Sequence, residues 1–535
     1  MARLGLVSGL SVCIVCPAPL AAGAGAPVHG AAEDGARRLS LLDAIRAALA
    51  NNLAIEIQRT SWRGVREAGT LSEEAAFDWT LGATGRTSWA KTGSMSYTNV
   101  QMDNPDGGDP LNLNAQADTL THTNARNISA TVTKPFTWGG QFQISYSPTY
   151  QGWNADTDLS LLETPFTVFP TKHSSNMTPY GGSWGFSYSQ NLLKGFGYKA
   201  TASQLVIARR GLDAADANFR KAVQDQVAII ESVYWNLVNA QMNLANKQQT
   251  LEIANRQLRE NRIRVETGVL APIEVTSSEA NVATQEVAII QAEAALLNAK
   301  DTFVRTVFST AERPDGVELT DAPNVTPLDL DENAAISVAL KNRVELHTRR
   351  IDLENAKLTE DVARSNLLPT LNAQVAYNGS AASASDLGDI NSDFFGFRYP
   401  GYSVNLTFSL PLMNKGPRAA EIRARAGRRS AELALKDQEL AVTLDVRTAY
   451  RNLMAAEKSI MASEKSRILA QATYDAEQMR FANGLSTNFV VLQRQNDLDN
   501  AKTAELNAKI AYVNAQTALR HAMGTLLEYR NIKVQ

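Results

Sequence analysis

Two stretches of the chain place apolar residues on a strict seven-residue spacing, and each is interrupted once by a glycine. In the first stretch, the row before the glycine comprises Val223, Ile230, Leu237, Leu244, Leu251, Leu258 and Val265, and the row after it comprises Val275, Val282, Ile289, Leu296 and Phe303. This spacing is typical of helices that supercoil against neighbours. The pattern therefore predicts a long helix, a tight turn and a second long helix.

The second stretch repeats the first without a gap. Tyr234 and Leu237 recur as Tyr450 and Leu453, and Gly268 recurs as Gly484, 216 residues later. An ungapped repeat of this length indicates two copies of one structural unit. The first helix, from residue 201 to 265, would be about 98 Å long. Most companion positions are polar or alanine, which favours a thin wall of helices over a thick core.

A shorter helix is predicted before each hairpin, at residues 40–76 and 331–368. Ala44, Ile45 and Asn51 of the first match Ala335, Ile336 and Asn342 of the second. Comparison of the two copies shows that the first carries about 75 extra residues after this helix.

Strands are predicted in the segment that follows each short helix. Apolar or aromatic residues alternate with small polar ones at residues 77–84, 128–133, 142–147 and 184–189 of the first copy, and at 371–377 and 402–408 of the second. This period fits a transmembrane barrel with lipid outside and water inside, and it also fits a half-buried antiparallel sheet. Segments 92–126, 150–182 and 379–400 are rich in Asn, Asp, Gly and Ser and predict long loops.

Four to six strands are too few for a single-chain barrel, and an open sheet edge is not tolerated in lipid. Several chains must therefore contribute to one barrel. The extra hairpin of the first copy, about residues 92–180, would either join the barrel wall or cover it from outside.

Composition and the N-terminus restrict the class of protein. A formal net charge of −3 and a pI of about 6.1 give no nucleic-acid signature. Residues 1–26 are typical of a secretory signal and contain both cysteines, Cys13 and Cys16. The mature chain would then have no disulfide, and a lipid on either cysteine is disfavoured by the valines that precede them. No run of 18 apolar residues follows the signal.

In its order of elements the chain resembles the TolC-like outer-membrane efflux family. The phrases that carry the resemblance are residues 189–197 (SQNLLKGFG), 233–237 (VYWNL), 264–268 (RVETG), 480–484 (RFANG), 410–412 (LPL) and 522–526 (AMGTL). The expected fold is mainly α with β: two tandem repeats of long coiled-coil helices that form a tunnel, with strands that contribute to a shared transmembrane β-barrel.

The predicted organisation is a signal peptide (1–26), an N-terminal extension (27–39), a first repeat (40–311), a linker (312–330), a second repeat (331–527) and a tail (528–535). The long hairpins would occupy residues 199–310 and 415–527.

The resemblance implies a homotrimer in outer-membrane lipid that extends into the periplasm. It would be a passive exit duct without a cofactor, joined by a periplasmic adaptor (membrane fusion) protein to an inner-membrane pump of the RND or ABC type. The turns that would meet the adaptor are Thr267, Gly268, Val269 and Leu270, and Asn483, Gly484, Leu485 and Ser486. Glu274 and Gln493 are the candidates for the pore constriction, although the family's carboxylates after the second turn are missing here.

Two other classes of function fit parts of the pattern. A periplasmic structural coiled-coil protein without channel activity would also need the long helices. An exported hydrolase could use Ser183 of the motif at residues 181–185 (GGSWG), but that chemistry requires a strand-to-helix elbow. The sequence favours the duct.

Overall fold

A computed structural model of the chain describes residues 37–104, 107–161, 171–177, 180–310, 317–327, 330–383, 392 and 399–532. The predicted signal peptide, with Cys13 and Cys16, lies outside these residues. The helices are α1 (Leu41–Asn51), α2 (Leu53–Ala68), α3 (Leu71–Ala75), α4 (Tyr198–Thr201), α5 (Ser203–Glu266), α6 (Ile273–Phe308), α7 (Glu332–Asn342), α8 (Val344–Ser365), α9 (Lys415–Ala482), α10 (Asn488–Met523) and α11 (Leu526–Tyr529).

The long helix hairpins follow the sequence pattern closely. Helices α5 and α6 form the first hairpin, and α9 and α10 form the second. The seven-residue rows face the packed side: Ile230 and Leu237 are fully buried, and Leu453 is 1% exposed. Helix α5 packs against both α6 and α10, and α10 packs against α9. The four helices therefore lie in the order α6, α5, α10, α9. No helix in the described ranges is long and apolar enough to cross a membrane.

The short helices differ from the prediction, because each is broken. Asn52 interrupts the first with an extended backbone (φ −72°, ψ 119°), and its side chain accepts hydrogen bonds from the amides of Ala54 and Ile55 at 2.8 and 3.1 Å. Asn is a preferred N-cap, so α2 starts anew at this point. Arg343 interrupts the second with similar angles (φ −66°, ψ 122°). The side chains of Ser40 and Asp331 cap the N-termini of α1 and α7.

The strands are β1 (Arg37–Leu39), β2 (Thr80–Met102), β3 (Leu111–Pro135), β4 (Gly140–Leu161), β5 (Thr171–Met177), β6 (Tyr180–Asn191), β7 (Val317–Leu319), β8 (Thr370–Ser383) and β9 (Pro400–Ser409). The main sheet has the order β2-β3-β4-β6-β8-β9, with β5 paired to β4. All its pairs are antiparallel. The extra hairpin of the first repeat therefore belongs to the same sheet as the strands of the second repeat.

The long loops predicted at 92–126 and 150–182 are largely wrong. β2 and β3 stay paired from Thr80 and Thr133 as far as Met102 and Leu111, and β4 continues to Leu161. A strand with water on both faces needs no apolar alternation, so its composition resembles that of a loop. In the third predicted loop, residues 379–383 belong to β8, whereas 384–391 and 393–398 lie outside the described residues.

A second, two-stranded sheet joins segments in which the sequence predicted no element. β1 in the N-terminal extension pairs in parallel with β7 in the linker, with Arg37 opposite Val317 and Leu39 opposite Leu319. The hydroxyl of Tyr234 donates to the carbonyl of Leu39 at 3.2 Å. β1 is thus held against β7 in the linker that follows the first repeat.

Candidate functional site

One face of the main sheet is apolar across all six strands of its path. The register places Leu81, Val132, Ile144, Phe186, Tyr377 and Tyr402 in a single row. The neighbouring row on the other face consists of Thr80, Thr133, Gln143, Ser187, Ala376 and Ser403. Tyr402 is 87% exposed and Leu81 is 76% exposed, so the apolar face is open within the protomer on both edge strands.

The apolar band has the height of a bilayer core. It runs for about ten residues along each strand, or roughly 33 Å, which a tilt of about 40° reduces to about 25 Å. Aromatic side chains mark its two ends. Trp79 and Phe142 meet edge to face at 6.5 Å near the helices, and Tyr150 and Tyr180 lie 5.1 Å apart at the far end. Aromatic girdles of this kind are typical of membrane interfaces.

The two hairpin turns, at the opposite end of the long helices, have the same backbone structure. Gly268 and Gly484 adopt left-handed angles (φ +77° and +76°). The amide of Val269 donates to the carbonyl of Arg264 at 2.8 Å, and that of Leu485 donates to Arg480 at 2.9 Å. Each glycine amide in turn bonds a carbonyl three residues earlier, which completes a Schellman motif. Glycine is required here because other residues are strained at positive φ.

Some of the predicted turn residues are exposed, and the others make contacts within the protomer. Thr267, Gly268, Val269, Asn483, Gly484 and Leu485 are exposed. Leu270 and Ser486, which are equivalent, are half-buried. Leu270 packs against the cluster that contains Tyr474, Phe481, Val491 and Leu498, and Ser486 donates a hydrogen bond to Glu477. Leu270 therefore contributes to the contact between the two hairpins, and Ser486 bonds within the second hairpin.

Sequence reasoning named Val269 and Leu485 but missed the exposed apolar side chains that accompany them at each turn. Ile263, Val269 and Ile273 of the first hairpin are equivalent to Met479, Leu485 and Phe489 of the second, and all six are between 60% and 73% exposed. Three large apolar side chains at matched positions form the same exposed patch twice. The 216-residue offset, applied to the exposed positions as well as the buried rows, would have revealed it.

A buried polar cluster joins the hairpins just above the turns. The amide nitrogen of Asn261 donates to Ser278 at 2.8 Å and to the side-chain oxygen of Asn488 at 2.9 Å, and Gln257 donates to Asn261 at 3.2 Å. Asn261 and Asn488 are fully buried. Polar side chains in a helical seam fix the register of the helices, because any shift leaves them without partners.

The two constriction candidates lie on different hairpins. Glu274 is in the first turn of α6 and half-buried, and its carbonyl accepts a hydrogen bond from Ser278 at 2.8 Å. Gln493 is on α10 and exposed. Their counterparts in the other repeat are Val490 and Ser277, so the two positions are not equivalent.

The structure does not provide the geometry of a serine hydrolase at Ser183. This residue lies inside β6, opposite Ser147 and Ser380, and the strand continues to Asn191. The elbow that exposes a nucleophile requires an immediate strand-to-helix turn. Among the described residues, no group of three His, Cys, Asp or Glu side chains could hold a metal ion.

The chain matches the family model of the outer membrane efflux proteins at residues 141–305 and 335–525. It is 26% identical to the outer membrane protein TolC of Salmonella enteritidis over 61% of this chain and 66% of that protein. It is 25% identical to the outer membrane efflux protein BepC of Brucella suis over 69% of this chain and 76% of that protein. The chain thus spans about two thirds of the TolC relative.

Solved structures show the same fold. The outer membrane protein VceC of Vibrio cholerae superposes with a TM-score of 0.60 at 15% identity, covering 90% of this chain and 96% of that one. The CmeC outer membrane channel of Campylobacter jejuni superposes with a TM-score of 0.58 at 15% identity, over 91% and 86%. The family model covers most of both repeats, and this chain therefore belongs to the outer membrane efflux protein family, as an outer-membrane protein that extends into the periplasm.

Proposed function

We propose that the protein is a homotrimeric, passive exit duct that carries substrates of an inner-membrane pump across the periplasm and the outer membrane. The observation that carries the proposal is the six-strand sheet, which is apolar on one face, polar on the other and open at both edges. Such a sheet is compatible with lipid only when copies of it close into a barrel.

The edges of the sheet suit a ring of identical chains. β2 and β9 are the edge strands, and they run in opposite directions because every pair between them is antiparallel. β9 of one protomer can therefore pair antiparallel with β2 of the next. A head-to-tail contact of this kind generates a closed ring when the rotation allows it. Three copies of the six-strand path would give a barrel of about 18 strands, within the range of known outer-membrane barrels.

The outer helices of the four-helix layer carry matching surfaces. On α6 the exposed positions Ala280, Ala283, Val287, Ile290, Ala294 and Leu297 follow a spacing of three and four. On α9 the exposed apolar positions include Leu433 and Leu440, and then Ala455, Ala462 and Leu469, each seven residues apart. Narrow apolar rows at this spacing are typical of coiled-coil seams. We infer that α6 of one protomer packs against α9 of its neighbour, so that the helices also close into a tunnel.

The hairpin turns are the proposed contact for a periplasmic adaptor (membrane fusion) protein. The exposed patches around Val269 and Leu485 are apolar and rigidly held by the Schellman motifs. Exposed apolar patches of this kind mark protein contacts. The pump behind the adaptor would be of the RND or ABC type.

Conductance measurements on purified protein in a planar bilayer test the duct directly. We expect discrete open steps from a species that cross-links as a trimer. Glu274→Gln would then lower the ratio of cation to anion permeability if this side chain rings the narrow end, because a ring of fixed charge attracts counter-ions. Gln493→Ala removes a neutral side chain, so it would raise the conductance without changing this ratio if Gln493 narrows the pore. A soluble, non-conducting protein would instead support the periplasmic structural coiled coil.

The adaptor contact has a separate test in cells that depend on this protein for export. The double variant Val269→Ser/Leu485→Ser should conduct normally in a bilayer and lose export. A matched control is Ile57→Ser, which removes a 65% exposed isoleucine of α2 that belongs neither to the turns nor to the proposed seam between α6 and α9. Unchanged export by the double variant would exclude the turns as the contact.

A further inference from the structure

Part of the sheet continues well past the outer aromatic residues of the apolar band. Tyr150 on β4 lies opposite Tyr180, where β6 begins, and opposite Arg126, which in turn pairs with Thr87 on β2. Beyond this row, β2 runs on to Met102, β3 starts at Leu111 and β4 runs on to Leu161. The 15 residues of β2 beyond Thr87 span about 50 Å at roughly 3.3 Å per residue. Within the described residues, β6, β8 and β9 do not extend beyond this row.

The outer half of β2 is an unprotected edge within the protomer. β2 pairs with β3 only, so its other side has no strand partner among the described residues. β9, the strand proposed to pair with β2 of the next protomer, begins at Pro400 and is only 10 residues long. It can cover less than half of the 23-residue β2. Along that whole strand the charged residues are Arg86 and Lys91. Long edges with few charges are liabilities unless another strand covers them.

β5 supplies the second edge at the same height. Its residues Thr171 to Met177 pair with Leu159 to Trp153 of β4. Beyond the aromatic row the described strands therefore lie in the order β2-β3-β4-β5. Because the three pairs are antiparallel, β5 runs opposite to β2. The two edges thus have the directions that antiparallel pairing between copies requires.

We propose that β5 of each protomer pairs with the outer half of β2 of the next, closing a second ring of strands above the membrane. The proposal rests on the trimer proposed above. Four strands from each of three chains make about 12 strands, and the barrel below has about 18. With strands about 4.8 Å apart and tilted by about 40°, the backbone diameter falls from about 36 Å to about 24 Å. The outer end of the channel would then be a narrower ring formed by β2, β3, β4 and β5 of the three chains. This ring is called the turret below.

Cysteine cross-linking tests the pairing, because both native cysteines lie in the predicted signal peptide. One cysteine is fixed by Ser94→Cys on β2, and a second is placed in turn at each of residues 172–176 on β5. Within one protomer β3 and β4 separate these strands, so their Cα atoms are about 14 Å apart. A disulfide needs less than about 7 Å. Every disulfide therefore joins two chains, and three of them give a covalent trimer that reducing agent releases.

We expect at least one of the five combinations to trap at least tenfold more covalent trimer than the control Ser94→Cys/Thr157→Cys. Thr157 lies on the interior strand β4, where no neighbouring chain can pair. The turret is overturned if all five match this control, or if Ser94→Cys alone forms dimers, which would show that β2 edges pair with each other.

A scan at membrane level separates this proposal from the trimer itself. Thr84→Cys on β2 is combined with a cysteine at each of residues 401–405 on β9. Covalent trimers here, without any in the outer scan, retain the duct and reject the turret. No covalent trimer in either scan rejects the proposed trimer, and the turret with it. Trimers in both scans support the two rings.

Discussion

Asn52 and Arg343 occupy equivalent positions in the two repeats. Each side chain donates a hydrogen bond to a backbone carbonyl near the end of a long hairpin. Asn52 donates to the carbonyl of Thr306 at 2.6 Å, and Arg343 donates to the carbonyl of Ala522 at 3.4 Å. Thr306 and Ala522 are themselves 216 residues apart, the spacing of the two hairpins. Each break between short helices is therefore fastened to the last turns of a long hairpin.

Asn52→Ala should lower the free energy of unfolding by about 1–2 kcal/mol, because it removes the α2 cap and leaves the partly buried carbonyl of Thr306 without this partner. Asn51→Ala is the matched control, since the Asn51 side chain is exposed and bonds only within its own helix, to Ala47. Thermal unfolding followed by circular dichroism compares the two. Equal midpoints would show that the Asn52 bonds contribute nothing.

Gly268→Ala and Gly211→Ala should have opposite effects on stability. Gly268 has φ +77°, so a Cβ is strained there although no atom lies within 4 Å of it. We expect a loss of about 1 kcal/mol. Gly211 lies in the exposed interior of α5 with open space around it, so alanine should stabilise the helix by up to about 1 kcal/mol. Chemical denaturation of both variants provides the comparison, and a shift of the same sign in both would contradict this explanation.

Asn261→Ala should destabilise the contact between the two hairpins. The substitution leaves Asn488 and Gln257 buried with fewer hydrogen bonds, at a cost of about 1–3 kcal/mol. Hydrogen exchange of amides in α10 near Asn488 should accelerate more than exchange at the far ends of the helices. Asn298→Ala, at an exposed position of α6, is the control. Uniform acceleration along α10 would indicate a general loss of stability.

Asp225 should make part of the stability depend on acid pH. Burial alone would raise the pKa of Asp225, but hydrogen bonds from His521 and Lys221 outweigh it and hold the pKa below its ordinary value of 3.8. A lowered carboxyl pKa means that this stabilisation is complete above that ordinary value and is lost as the pH falls through the folded-state pKa.

Asp225→Asn should therefore lower the unfolding midpoint at pH 7, and its difference from the parent should shrink as the pH falls below the ordinary carboxyl pKa of 3.8. The Asp225–His521 pair, 2.6 Å apart, is partly exposed, so the effect should stay under about 1 kcal/mol. Melting curves of the variant and the parent from pH 3 to pH 7 measure how the difference in midpoint changes with pH. A difference that persists unchanged at the acid end would show that charge is not its source.

The sequence predicted those features in which one side of an element is apolar. The helical row through Ile230 and Leu237 and the alternation in β8 and β9 follow directly from the spacing of apolar positions, which is seven in the helices and two in the strands. The turn glycines were predictable for a related reason, because the repeat fixes both their positions and their conformation.

Features without an apolar side escaped the sequence analysis. The described side chains in the outer half of β2 are exposed on both faces of the strand, so nothing distinguished it from a loop except its partner. The break at Asn52 depends on a cap that the apolar pattern does not register. Ile273 and Phe489 are exposed and lie outside the seven-residue apolar rows, so a pattern that identifies core residues did not identify them.

The small parallel sheet of β1 and β7 has a consequence for the order in which the chain folds. The amide of Leu41 donates to Asp321 at 2.8 Å, across 280 residues of sequence. Closing a loop of that length costs about 5 kcal/mol of chain entropy, which three-residue strands cannot offset unaided. The hairpin of α5 and α6 must first bring the two ends together. β1 should therefore pair with β7 only after the hairpin has formed. This pairing would complete the first repeat before the second repeat packs against it.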